Sequence, residues 1–259
     1  MGVVNCTPDS FYAASRRLDA KEAVAQALRC VEEGANWIDI GGQSTRPGSD
    51  PVSVSEELRR VVPVVEELSR KTSLPISIDT DKPEVARRAR EAGATILNDI
   101  RALRVPGMMD EAVRFKAVIL MHMGGDSPKT MQRQPRYGDV VGEVAEFLKE
   151  RMSAFLSSGG EAARVLIDPG IGFGKTLEHN LSLLKQLSRL VELAPVVVGV
   201  SRKSFLSRIT PDAGPEERLE GSLAAALWAA AAGAKAVRVH DVAATRRALD
   251  AAAAISGAA

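Results

Sequence analysis

Val165-Leu166-Ile167-Asp168 is a run of three apolar residues closed by a carboxylate, and its reading decides the fold. The same arrangement recurs along the chain. Asn5 follows Gly2-Val3-Val4, Asp79 follows Ile76-Ser77-Ile78, and Asn98-Asp99 follow Thr95-Ile96-Leu97. Two cationic versions exist: Ser201-Arg202-Lys203 after residues 196–200, and Arg238-Val239-His240-Asp241 after Ala236-Val237. Short apolar runs bounded in this way read as parallel strands buried on both faces. Set side by side, their downstream polar residues share one rim, and in an α/β barrel that rim carries the chemistry.

Helix-like segments alternate with these strands. Residues 19–33 place Ala23, Val24, Ala27, Leu28 and Val31 on one side, and Gly34 stops the helix. Further helices are expected over 55–70, bent at Pro63, and over 82–92, 109–115, 177–190, 216–232 and 242–255, with a long one inside 137–158. The remaining strands are expected at 37–40, 74–78, 117–121 and 236–239. Gly34-Ala35-Asn36, Gly93-Ala94-Thr95 and Gly233-Ala234-Lys235 each lead from a helix into a strand, a turn that calls for glycine at positive φ. About eight βα units without a composition break predict a single-domain (β/α)₈ TIM barrel over residues 1–259, in preference to an open doubly wound sheet.

The 259 residues are 45% hydrophobic and 26% charged, with a net charge of +1. That balance argues against a nucleic-acid groove or an anionic membrane surface as partner. Aromatic residues make up only 4%, too few for a base-stacking platform. Two cysteines, Cys6 and Cys30, make a disulfide framework unexpected and fit a reducing cytoplasm. The alanine-rich tail at 251–254 is too short to span a bilayer. The chain enters a strand at once, so no signal peptide is expected.

Two motifs mislead. Gly170-Ile171-Gly172-Phe173-Gly174-Lys175-Thr176 ends like a phosphate-binding P-loop, but Pro169 stands where its first glycine belongs. A tight strand-to-helix loop whose backbone approaches a flat ligand fits better. His122, His179 and His240 form no pair at metal-ligand spacing, which disfavours a barrel metallohydrolase. His179 is expected on a helix surface.

Taken together, the segments resemble one family. Met1-Gly2-Val3-Val4-Asn5-Cys6-Thr7-Pro8-Asp9-Ser10-Phe11 resembles the opening motif of dihydropteroate synthases, as does Asp39-Ile40-Gly41-Gly42-Gln43-Ser44-Thr45-Arg46-Pro47-Gly48. Ser77-Ile78-Asp79-Thr80, Leu97-Asn98-Asp99-Ile100, Leu120-Met121-His122-Met123, the 168–175 loop, Ser201-Arg202-Lys203-Ser204-Phe205 and Arg238-Val239-His240-Asp241 continue the likeness in the family's order. The resemblance implies a barrel enzyme of folate synthesis. Such an enzyme joins 4-aminobenzoate to 6-hydroxymethyl-7,8-dihydropterin diphosphate, with Mg²⁺ assisting and sulfonamides mimicking the aminobenzoate.

The resemblance also implies roles. A pterin edge, with an amino group and a ring N–H beside a carbonyl, suits carboxylates and an amide, here Asp79, Asn98 and Asp168. Lys203 would donate to ring acceptors, with Met123 in the same pocket. The acid and amide residues could instead cap the helices that follow. Asn5, Thr45, Arg46, Arg238 and His240 would hold the diphosphate, with Asn5 also reaching Mg²⁺. Phe11, Thr45, Pro47, Phe173, Lys203 and Ser204 would form the aminobenzoate pocket. Arg46, Lys203, Arg238 and His240 would carry the catalysis, by positioning and by stabilising the leaving diphosphate. Arg238 and His240, on alternate strand residues, would face the same way. Loops one and two would close over the substrates. Small-molecule substrates and a second copy of the chain, docked through late helices at 223–232 and 243–254, are the implied partners.

The chain departs from the family pattern in places. Ala13 replaces a loop-one aspartate, and Gln43 stands where glutamate is usual. The start is shorter than most members', so the barrel floor is expected to be less well closed. A pterin-binding methyltransferase acting on a folate and a corrinoid protein shares the barrel and the pterin clamp. It gives no reason for Thr45-Arg46-Pro47, Lys203-Ser204 or the Arg238/His240 pair. A catalytically weakened pterin-binding homologue is the third reading.

Overall fold

The computed structural model describes residues 1–6, 16–45, 48–125, 127–132, 135–210 and 217–258, with backbone alone at 16–19. Strands and helices alternate: β1 (Gly2–Asn5), α1 (Arg16–Glu32), β2 (Ile38–Gly41), α2 (Val54–Lys71), β3 (Ile76–Asp79), α3 (Pro83–Ala92), β4 (Ile96–Asp99), α4 (Met108–Ala112), β5 (Ala117–Met121), α5 (Val140–Ser157), β6 (Val165–Asp168), α6 (Leu177–Lys185), α7 (Ser188–Val191), β7 (Val197–Gly199), α8 (Leu219–Ala231), β8 (Ala236–Arg238) and α9 (Val242–Ser256). Strands β1 to β6 pair in parallel in chain order, and β7 pairs with β8. Single parallel bridges join the two sheets into a ring, Ile167 with Val196 and Gly2 with Val239. Val3 N–H donates to Val239 O at 3.0 Å and Val239 N–H to Met1 O at 2.9 Å, so β8 is zipped to β1. This is the expected (β/α)₈ barrel.

The strands are short because a barrel interior needs only a few layers of side chains. Alternate residues point in and out. Ile38, Ile40, Ile78, Leu97, Leu120 and Ile167, all at 0%, pack outward against helices in the main core. Met1, Ile96, Ile119 and Val197 form a separate cluster that fills the lower interior. The same parity sends Asp79, Asn98, Met121, Asp168 and Arg238 inward at the downstream ends, where they line one cavity.

Local signals explain most boundaries. Ser53 caps α2, accepting from Glu56 N–H, and Pro63 sits inside a helix that runs unbroken to Lys71. Gly34, Gly93 and Gly233 all adopt positive φ, at 92°, 120° and 96°. The helix expected over 177–190 is two helices. The chain turns at Gln186, and Leu187 and Leu190 become fully buried. His179 lies at the third position of α6, where its ring accepts from the Thr176 N–H and completes a capping box.

Gly93 combines left-handed backbone with close approach: an added Cβ would sit 2.6 Å from the Ser69 Cβ. Gly93→Ala is expected to lower stability by about 1–3 kcal/mol through strain and overpacking. A urea midpoint equal to the parent's would contradict this account of the α3–β4 turn.

Candidate active site

The mouth of the barrel holds a narrow cavity lined in part by Thr45, Asp79, Asn98, Asp168, Lys203 and Arg238. Its polar residues come from six segments, each delivered by the end of a strand or the loop after it. Asp79, Asn98 and Asp168 are all buried. Charges placed there must be paired or hydrogen-bonded, because burial alone disfavours them.

Arg238 does most of that pairing. Its Nε donates to Asp39 Oδ2 at 2.6 Å and its Nη2 to Asp79 Oδ2 at 2.9 Å. Asp39 is fully buried, one inward layer below the mouth on β2, and its two oxygens each lie 3.4 Å from Asn98 Nδ2. Burial drives the Asp79 carboxyl upward, Arg238 opposes, and repulsion from Asp39 adds to the rise. One guanidinium serving two carboxylates leaves each only partly compensated.

Asp168 is likewise pushed up by burial. The Gly170 N–H, bonded to Asp168 Oδ1 at 2.7 Å, opposes this, as do the charges of Lys203, Arg238 and Lys175. Lys203 reaches in from the loop after β7, with Nζ 4.2 Å above the centre of the Phe173 ring. Burial lowers its ammonium to about 8, with Asp168 opposing and Arg238 adding to the fall. The turn that presents it is strained: Arg202 has a φ of 55°. It is fastened by a two-pronged pair, Arg202 Nε and Nη2 to Asp241 at 2.9 and 2.6 Å. Ser204, exposed, opens the 3₁₀ turn Ser204–Arg208.

Several expected residues stand differently from their sequence reading. Arg238 and His240 are not a pair of cations facing one way. The pairing of β8 with β1 ends at Val239, and His240 is the first residue past it. Arg238 points into the barrel, while the exposed His240 turns to the β7 loop, its Nδ1 3.1 Å from Ser201 Oγ. Partial burial, then Arg238 and Arg202, lower the His240 pKa to about 4, so it is neutral at pH 7. Met123 lies in an apolar cluster with Ile100, Met121, Met131 and Phe173, and Met121 is the methionine that lines the cavity. Asn5 is exposed at the rim end of β1. Asp99 does not face the cavity; its carboxylate accepts from Arg101 and Leu103 N–H at 2.8 Å each and shapes the turn after β4. Phe11, Ala13, Arg46 and Pro47 lie outside the described residues.

At the base of the second loop, Gln43 Oε1 accepts from Val52 N–H at 3.0 Å and from Lys82 Nζ at 2.7 Å. Lys82 also pairs with the buried Glu57. Beside the cavity, Lys175 and His122 form a second buried polar pair, with Nζ 2.9 Å from His122 Nδ1. Asp39, Lys175, Ser201 and the Arg202–Asp241 pair were not among the sequence candidates. Asp39 carried a signal: it is two residues before Gly41 and so shares the inward face.

Fold and mouth together define a (β/α)₈ barrel whose strand ends assemble an acid, amide and cation site. Residues 1–240 match the profile of the pterin binding enzyme family. The Escherichia coli K12 dihydropteroate synthase is 47% identical over 93% of this chain and 86% of its own. A Xanthomonas albilineans dihydropteroate synthase solved with 4-aminobenzoic acid has a TM-score of 0.93 at 50% identity, covering 100% of this chain and 93% of that one. The same enzyme in complex with 7,8-dihydropteroate gives a TM-score of 0.89 at 47% identity, covering 100% and 94%. The chain belongs to the dihydropteroate synthase family of pterin binding enzymes.

Two outcomes follow from the buried charges. Asp39→Asn leaves Arg238 with Asp79 alone. Stability is expected to fall by about 3 kcal/mol, the low end for stripping one partner from a buried pair. The Asp79 carboxyl is expected to titrate lower once its repelling neighbour is gone. Urea denaturation and infrared carboxylate titration read both, and a higher Asp79 titration in the variant contradicts the arrangement. The second outcome concerns His122, which burial and then Lys175 hold down to a pKa of about 2. The unfolded chain takes up that proton first, near pH 6.5. His122 therefore stabilises the fold fully above that pH, and the contribution is lost as pH falls toward the folded value, at up to about 1.4 kcal/mol per pH unit. His122→Gln is expected to flatten the stability slope between roughly pH 6 and 4. Urea midpoints across that range check it, and an unchanged slope contradicts it.

Proposed function

We propose that this chain is a dihydropteroate synthase. It condenses 6-hydroxymethyl-7,8-dihydropterin diphosphate with 4-aminobenzoate to give 7,8-dihydropteroate and diphosphate. The observation that carries the reading is the gathering of Asp79, Asn98, Asp168 and Lys203 around one cavity, with the Phe173 ring beneath the lysine.

The reaction forms a bond from the aryl amine nitrogen to the exocyclic methylene carbon. The C–O bond to diphosphate breaks, its electron pair leaves with the diphosphate, and the amine loses a proton. The amine is neutral at pH 7 and needs no strong base. The chain's work is to orient two flat rings and to stabilise a leaving anion.

Asp79, Asn98 and Asp168 bind the pterin amide edge, while Lys203 donates to its acceptors. Met121 supplies the apolar wall with Met123 behind it. Arg238, Thr45 and Arg46 bind the diphosphate. His240, neutral at pH 7, adds an N–H donor rather than a charge. Phe173, Lys203, Ser204 and Thr45, with Phe11 and Pro47, receive the aminobenzoate.

Mg²⁺ fits in a limited way. Among the described residues no three acids, histidines or cysteines gather to hold an ion. Asn5 offers one exposed carbonyl oxygen at the rim, which suits an ion that keeps its waters and borrows substrate phosphates. When bound, the ion would neutralise charge on the departing diphosphate.

The chain works as a homodimer in the cytoplasm. Trp228 at 58% exposure, Ile209 at 49% and Leu181 at 42% flank an apolar groove between α6 and α8, a face suited to a second copy. Both cysteines are free, which fits a reducing compartment.

The test is diphosphate release measured with and without 4-aminobenzoate. Release is expected only with both substrates, and Asp168→Asn is expected to raise the pterin KM by about tenfold to a hundredfold, the worth of a charged hydrogen bond. No release from the parent enzyme would sink the reading. Arg238→Ala is a poor probe, because it strips the partner from two buried carboxylates and lowers stability as well as turnover.

A further inference from the structure

Lys175 has been given no part so far, yet its side chain is among the most enclosed charges in the protein. It is 4% exposed. Among the described residues no carboxylate pairs with it. Its ammonium is satisfied by neutral acceptors: Gly170 O and Phe173 O at 3.0 Å each, His122 Nδ1 at 2.9 Å and His122 O at 3.4 Å. These acceptors come from two loops, the one after β5 and the one after β6.

The two loops touch backbone to backbone. A Cβ on Gly170 would lie 1.8 Å from His122 O, and one on Gly174 would lie 2.7 Å from Gly124 Cα. Gly170 and Gly174 both hold positive φ, at 66° and 64°. Only glycines permit this contact, and it gathers the carbonyls of His122, Gly170 and Phe173 around the Lys175 ammonium. One ammonium has three protons and can serve that number of acceptors at once.

The dependence on Lys175 is uneven. Asp168 sits on β6 and is held by strand register opposite Met121. Phe173 sits at the loop tip. Its carbonyl receives Lys175 at 3.0 Å and Gly124 N–H at only 3.3 Å. Its ring lies in the small cluster with Ile100, Met121, Met123 and Met131, under the Lys203 ammonium.

We propose that Lys175 is a positioning residue. It pins the β6 loop to the β5 loop and so sets the height and tilt of Phe173, the aromatic floor of the aminobenzoate pocket. The inference rests on the proposed function and deepens it: Lys175 serves the second substrate's site far more than the pterin's. The neutral His122 is its fixed acceptor, presenting the Nδ1 lone pair.

The test is steady-state kinetics of Lys175→Met with each substrate varied in turn, alongside circular dichroism. The aminobenzoate KM is expected to rise by about tenfold or more, with the pterin diphosphate KM within about threefold of the parent's, because a misplaced wall affects only the ligand that leans on it. A merely structural lysine would lower stability and leave the two KM values alike. A folded variant with both KM values unchanged, or both raised equally, overturns the proposal. If Lys175→Met does not fold, His122→Leu removes one acceptor only and decides by the same ratio, with a smaller split expected. The parent enzyme reports on the function independently: absence of turnover there concerns the reaction, while the variant-to-parent ratio concerns Lys175.

Discussion

The inside of the barrel takes charge out of water, and the mouth depends on how that charge is balanced. Asp39, Asp79 and Asp168 bring three buried carboxyl groups; Arg238, Lys203 and Lys175 bring three basic groups, with burial lowering Lys203 to about 8 and Lys175 to about 7. Neither set could be held there alone. The planar guanidinium of Arg238 suits its task because its fork spans carboxylates from two neighbouring strands, which a lysine's point charge would do poorly. Asp168 and Lys203 are treated differently. Among the described residues neither is in an ion pair, and each feels the other as a nearby opposite charge. Half of the mouth is thus internally saturated, and half is kept available to a ligand.

One geometric rule made much of this readable in the sequence. In strands buried on both faces, apolar residues say little about direction, but a carboxylate or amide of inward parity at the end of the run points into the open mouth, whereas Asp99, of the other parity, turns to the loop. Asp79, Asn98 and Asp168 obey it and meet at one cavity. The rule fails where the strand stops before the pattern does. Strand β5 ends at Met121, which lines the cavity, while Met123, two residues on, packs in the same apolar cluster without lining it. At β8 the pairing stops at Val239, and His240, one residue past it, bonds to Ser201 on the neighbouring loop instead of joining Arg238 between the carboxylates. A sequence shows alternation in composition; it does not show where the hydrogen-bonded ladder ends.

What stayed hidden was the choice of partners. Asp39 lies in a quoted motif, yet its role exists only because Arg238, 199 positions away, closes over it. Lys175 looked like the tail of a failed phosphate loop, and its burial follows from glycines in two loops that meet only in three dimensions. Ring closure is equally non-local, resting on lone bridges at Val196 and Val239 rather than on a full ladder. Such features have no periodicity to betray them, because they are fixed by contacts across the barrel.

On the proposed reading, this division of charge also dictates what each substrate can do on arrival. The pterin edge is neutral and meets carboxylates that burial has already biased toward accepting a proton or a donated N–H. Its binding leaves the net charge of the mouth unchanged. The diphosphate adds negative charge beside Arg238, which is already shared between two anions. Those anions repel the newcomer, so Arg238 alone is a weak anchor for it. His240 then has a conditional role. Held neutral by partial burial and then by the cations around it, it would gain basicity as a multiply charged anion settles alongside. A guanidinium shared in this way holds the leaving group loosely at first and binds it more firmly as its charge grows. That difference between ground state and transition state is what lowers a barrier.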